Sequence, residues 1–183
     1  MKEDLKANEK VDFDKYEDAC CYMSSEELKR YVKNNKTWSH IKLRDIKEIE
    51  ALFVNEVYVL LNDGRLYENG KLILENISGI WCMNIRLLFV ITNDNYIYSL
   101  QDTEFNNYIG NINYKKIVKS KIDLLALTYD GRVKSLTSYP EFIGIIPENF
   151  IDVDDIIIEG ELGTPKIVKN GKIISLYVSD YNE

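Results

Sequence analysis

Along "VYVLLNDGRLYENG" (57–70), apolar residues run consecutively, stop at Asn62-Asp63-Gly64, and resume in alternation with polar ones. That order predicts an apolar strand, a tight turn and a half-buried second strand. It recurs in "FVITNDNYIYSL" (89–100), "LALTYDGRVKSL" (125–136) and "KIVKNGKIISLY" (166–177). The turn residues Gly64, Asn95, Gly131 and Gly171 correspond, at spacings of 31, 36 and 40 residues. Glycine, and next to it asparagine, tolerates positive φ, so a primed two-residue turn is expected at each position. The period is that of one supersecondary unit, as in propellers and solenoids.

Further signals flank each hairpin. Ile46 and Ile49 precede the first turn and Ile77 and Ile80 the second, the leading isoleucine standing 18 residues ahead both times. "KLIL" (71–74), "YIGNI" (108–112) and "FIGII" (142–146) fill one downstream slot, giving four short strands per unit. Strands such as "VYVLL", "LLFVI" and "LLAL" are apolar at consecutive positions, so both of their faces seek burial. Sheets stacked face to face around an axis meet that need. The expected fold class is therefore all-β, a small propeller-like array within one domain, 1–183. Its approximate repeats are 11–43, 44–76, 77–112, 113–146 and 147–183, with 1–14 closing the last.

Two readings compete over the first fifth of the chain. "CYMSSEELKRYVKNNKTWSHI" can be laid over the hairpin at 57–74, which makes it a divergent first blade with "TWSHI" as outer strand. Against this, Ser24 followed three residues on by Glu27 is a capping signal, and Leu28, Tyr31 and Val32 would share one face of a short helix. The local signal favours the helix; the repeat spacing favours the blade, which is the leading expectation.

"IKEIEALFVNEVYVLLNDGRLYENG" (46–70) and "IVKSKIDLLALTYDGRVKSL" (117–136) resemble the repeats of the regulator of chromosome condensation family. In those repeats an isoleucine-spaced strand leads into an apolar strand, an Asp-Gly turn and a further strand. The resemblance implies propeller blades. The period here is shorter and the small, glycine-rich end of the first strand is missing, so compact five-bladed propellers, lectins among them, are the closer analogy. No residue for nucleotide exchange is matched.

Charge and composition narrow the function. A formal charge of −7 repels a phosphate backbone, so general nucleic-acid binding is disfavoured. Lys115, Lys116, Lys119 and Lys121 in "YKKIVKSK" read as solvated charges at a strand edge. No run of about 18 apolar residues occurs, and "MKEDLKANEK" lacks the apolar core of a secretory signal, so a cytoplasmic protein without membrane contact is expected. Cys20, Cys21 and Cys82 then read as reduced thiols. The single histidine, His40, has no second histidine or spaced cysteine pair with which to hold zinc. Neither a phosphate-cradling loop nor a nucleophile elbow is present, and no cofactor and no catalytic residue is assigned.

One acidic cluster stands out. Glu148, Asp152, Asp154, Asp155, Glu159 and Glu161 lie in "PENFIDVDDIIIEGELGTP" (147–165) without a lysine or arginine among them. The spacing is not that of a calcium loop, and a solvated acidic rim able to meet a basic partner is expected. Two tryptophans and 13 tyrosines add interface-prone side chains, with Trp38 and Trp81 as aromatic candidates that burial between blades also explains. The leading expectation is a non-enzymatic module that binds a protein with a basic surface. Its sharper form is an inhibitor of a host nucleic-acid-handling complex of the anti-CRISPR kind, in keeping with an Ile-, Asn-, Lys- and Tyr-rich composition. A carbohydrate-binding lectin and a carboxylate hydrolase are the alternatives.

Overall fold

The computed structural model describes residues 23–52, 56–83, 87–101, 112–120, 124–136, 151–159 and 164–176. Antiparallel strand dominates them. Sheet 1 runs in the order β1 (Ile46–Leu52), β2 (Glu56–Leu61), β3 (Leu66–Glu68), β4 (Lys71–Leu74). Sheet 2 holds β5 (Ile77–Met83), β6 (Leu87–Thr92) and β7 (Ile97–Ser99); sheet 3 holds β8 (Lys116–Lys119), β9 (Leu124–Leu127) and β10 (Val133–Ser135). Sheet 4 holds β11 (Asp155–Glu159), β12 (Thr164–Lys169) and β13 (Lys172–Ser175). "KLIL" forms β4, whereas "FIGII" and most of "YIGNI" lie outside the described residues, as does segment 1–14.

Consecutive apolar positions do what their pattern requires, because alternate side chains serve opposite faces. In β2, Val57, Val59 and Leu61 face one core cluster, while Tyr58 and Leu60 enter the next with Ile77, Ile80, Leu88 and Val90 of sheet 2. Sheet 2 turns Phe89, Ile91 and Ile97 toward Leu124, Ala126 and Leu136. Sheet 3 in turn places Val118, Leu125, Leu127 and Val133 against Val153, Ile156, Ile167 and Leu176. The chain is thus a sequence of sheets, each covering the next.

The stack is fanned. Face-to-face sheets stand about 10 Å apart, so parallel stacking would hold sheets 1 and 3 about 20 Å from each other. Yet Lys119 Nζ, on β8, lies 2.5 Å from Glu48 Oε1 on β1. The first strands therefore converge across β5, and they form the concave side of the fan.

Two expectations are corrected. Residues 24–41 do not form a strand repeat. Ser25–Asn34 is helix α1, capped by the reciprocal Ser24–Glu27 box, and "TWSHI" begins with a single 3-10 turn, Lys36–Trp38. Leu28, Val32 and Trp38 are buried against the outer face of sheet 1, and burial of that apolar stripe decides the matter. The turns at Gly64, Asn95 and Gly131 are also not two-residue primed turns. Leu61 N–H donates to Arg65 O while Gly64 N–H donates to Leu61 O, and the same pair of bonds recurs at Thr92/Tyr96/Asn95 and at Thr128/Arg132/Gly131. Positive φ falls on the last loop residue alone (87°, 58° and 79°), which makes each a type I turn closed by a left-handed bulge residue. The primed turns are at Asn69-Gly70 and Asn170-Gly171, where both residues have positive φ and Glu68 pairs with Lys71, and Lys169 with Lys172.

Candidate functional site

The bulge residues place the hairpin turns in a row. Gly64 O accepts from Ile77 N–H at 3.0 Å, Asn95 O from Tyr114 N–H at 3.0 Å, and Gly131 O from Val153 N–H at 2.9 Å. Each turn is thereby fastened to the start of the following sheet, at the same end of the fan. The residue entering the next sheet is left-handed at Asn76 (φ 62°) and Asp152 (φ 57°), a conformation that asparagine and aspartate tolerate. A Cβ on Gly131 would stand 3.0 Å from Asp152 Cα, so turn and junction are in contact. By contrast, Gly171 has open space around it and belongs to the row by order only.

Acidic and aromatic side chains project from this rim. Asp63 accepts from the Arg65 backbone and pairs with its guanidinium at 2.7 Å, and that side-chain hydrogen bond holds its carboxyl below the usual range. Asp130 is likewise held low, first by the Thr128 hydroxyl and then by Arg132, 3.2 Å away. Asp94 and Asp152 are exposed, and Tyr129 is 70% exposed. The charge and the ring are presented on backbone that hydrogen bonds fix.

The lysine cluster and the acidic stretch meet each other at the free edges of the first strands. On β5, Ser78 O accepts from Lys47 Nζ, Ile80 N–H donates to Glu48 Oε2 at 2.8 Å, and Ile80 O accepts from Lys119 Nζ at 3.2 Å. Positions equivalent by their distance from the junction repeat the device on sheet 4. Asp154 O accepts from Lys115 Nζ, Ile156 O accepts from Lys116 Nζ at 2.9 Å, and Ile156 N–H donates to Asp155 Oδ1. In both places the lysine also pairs with the carboxylate: Glu48–Lys119 at 2.5 Å and Asp155–Lys116 at 2.8 Å. Charged side chains close edges that would otherwise offer unpaired backbone to another strand.

The expected acidic rim is accordingly divided. Asp155 is held low chiefly by Lys116, Glu159 pairs with Lys166, and Asp154 accepts from Asn170 N–H at 2.7 Å. Asp152 is a junction residue, and Glu148 and Glu161 lie outside the described residues. Trp38 is buried under sheet 1, and half-buried Trp81 donates to Ser120 O at 3.1 Å, tying sheet 2 to sheet 3. The turn aspartates were not singled out from the sequence, although Asp63, Asp94 and Asp130 share one place in the aligned turns. Among the described residues no three His, Cys, Asp or Glu side chains are grouped to hold a metal, and no helix is long and apolar enough to cross a membrane.

A second polar group lies on the concave side. Glu50, next to Glu48 on the same face of β1, is pushed up to about 6, first by burial and then by the Glu48 charge, with Lys119 pulling the other way. Comparison of the chain with family models, with curated proteins and with solved structures finds no match.

Proposed function

We propose that the chain is a non-enzymatic recognition module that binds a basic-surfaced protein along the row of hairpin turns. In this reading the four sheets are blades of a small propeller-like fan, with α1 on the side where a further blade would pack. The observation that carries it is Tyr129, 70% exposed at the tip of a turn, beside Asp130 and two residues from Gly131, which touches Asp152. Amphipathic aromatics are favoured at interfaces, and the exposed carboxylates of Asp94 and Asp152 supply steering toward a basic surface, whereas Asp63 and Asp130 are offset by Arg65 and Arg132. The narrower form, an inhibitor occupying a nucleic-acid groove, gains less support from 147–165, because Lys116 and Lys166 offset Asp155 and Glu159 there. A carboxylate hydrolase is the second reading, favoured by Glu48 and Glu50 on one face of β1.

Affinity capture from the native host with the full chain tests the proposal. The wild type is expected to retain a basic protein that the triple variant Tyr129→Ala, Asp94→Asn, Asp152→Asn loses, with capture weakening as salt rises. Asparagine at 152 keeps the left-handed backbone, as Asn76 shows, so folding is preserved. Equal capture by both proteins sinks the reading. Turnover of a substrate that Glu50→Gln abolishes would establish the hydrolase instead.

A further inference from the structure

We propose that Glu48, Glu50 and Lys119 form a proton-sensitive pin that locks the first strands of sheets 1, 2 and 3 together on the concave side of the fan. Three observations place it. Lys119, from sheet 3, passes over β5 and ends on Glu48 of sheet 1, so one side chain ties two sheets that are not neighbours in the stack. The strand it crosses carries Gly79, where a Cβ would stand in ordinary contact with both Lys119 Nζ (3.4 Å) and Glu48 Oε1 (3.7 Å), so the ion pair lies directly over β5 at this residue. The same ammonium and the same carboxylate also take up Ile80 O and Ile80 N–H, which makes the β5 edge part of the lock.

Glu50 supplies the proton sensitivity. On β1 it has Glu48; on β2 its cross-strand partner is Tyr58, whose hydroxyl is committed to Glu68 and Gln101. From β8 comes Lys119, while Lys116 is turned away to Asp155; Cys82 of β5 packs half-buried against the cluster that holds Tyr58. When Glu50 carries a proton, Lys119 faces one charged carboxylate and the pin is undisturbed. When it ionises, one ammonium serves two carboxylates in a partly dehydrated place, and the Glu48–Lys119 contact weakens. The pin therefore tightens on acidification and loosens as pH rises through about 6.

Amide hydrogen exchange at Ile80, corrected for the intrinsic pH dependence, reads the pin directly because this N–H is held by Glu48. In the wild type, protection is expected to fall severalfold between pH 5 and pH 7.5, up to about eightfold, the linkage ceiling for a carboxyl at about 6 in the closed pin and 4.5 in the open one. Glu50→Gln should keep protection high and flat across that range. Lys119→Met should lower it at every pH, and Lys119→Arg should restore it. Wild-type protection that does not change with pH overturns the proposal, as does a pH dependence that survives in Glu50→Gln. Both of those measurements stand even if Lys119→Met fails to fold.

Discussion

Gly70 and Gly171 follow an asparagine in the same kind of turn, but only one of them is enclosed. A Cβ at 70 would lie 2.5 Å from the Thr37 carbonyl oxygen, whereas nothing stands within 4 Å of one at 171. Both have positive φ, 81° and 72°, so alanine is strained at either by about 1–2 kcal/mol. Gly70→Ala adds displacement of the 3-10 turn that carries buried Trp38, and its total cost is expected on the order of 3–4 kcal/mol. Chemical denaturation of the two variants compares them, and equal losses would refute the difference. Glu50 makes the other residue-scale prediction. Its folded carboxyl, at about 6, binds a proton more tightly than the unfolded reference of 4.5. Stability from this group is therefore greatest below pH 4.5, falls as pH rises to about 6, and stays lower above that. Glu50→Gln should stabilise the protein at pH 7 by up to about 2 kcal/mol and leave it little changed at pH 4.5. Denaturation midpoints of variant and wild type at the two pH values check the sign.

At the scale of elements, α1 covers the outer face of sheet 1. Such a cover needs an apolar face inward and a polar face outward, and ten residues with Leu28 and Val32 buried supply that. Ser24→Ala should cost about 1 kcal/mol by removing the cap, and Val32→Ala about 2–4 kcal/mol by opening the helix–sheet core. If Val32→Ala cost no more than Ser24→Ala, α1 would not be covering sheet 1. The Ser24-x-x-Glu27 signal was legible in the sequence, as were the apolar strands β2, β6 and β9. What a linear reading could not weigh is that the outer face of sheet 1 needed cover, which only the packed sheet reveals. Turn type escaped for a more local reason. Asp63-Gly64 and Asp130-Gly131 look like Asn69-Gly70, but the strands close one residue earlier, at Leu61 and Thr128, and the extra loop residue turns each into a type I turn with a bulge. The edge-closing lysines escaped as well, since Lys119 and Lys116 meet partners on other sheets, 71 and 39 residues away.

At the scale of the molecule, cohesion among the described residues passes from sheet to neighbouring sheet, because each core cluster there is shared by two adjacent layers. Such an array does not have to open all at once; its stability is a sum of units and interfaces. The Glu48–Lys119 contact modifies that rule by joining sheet 1 to sheet 3, so sheets 1 to 3 should open as one unit. Among the described residues, sheet 4 is held by its interface with sheet 3, in which Ile156 and Ile167 are fully buried, and by the lysine clasp at Asp154–Ile156. Ile167→Ala is accordingly expected to raise hydrogen exchange across β11–β13 by 10-fold or more, the equivalent of at least about 1.4 kcal/mol, while β1, β2, β5 and β6 change little. Peptide-level exchange monitored by mass spectrometry separates these segments. A uniform rise through all four sheets would show that the fan opens as a single cooperative body. Uniform opening is what a ring closed between sheet 4 and the α1 side would produce, so one measurement distinguishes an open fan from a closed one.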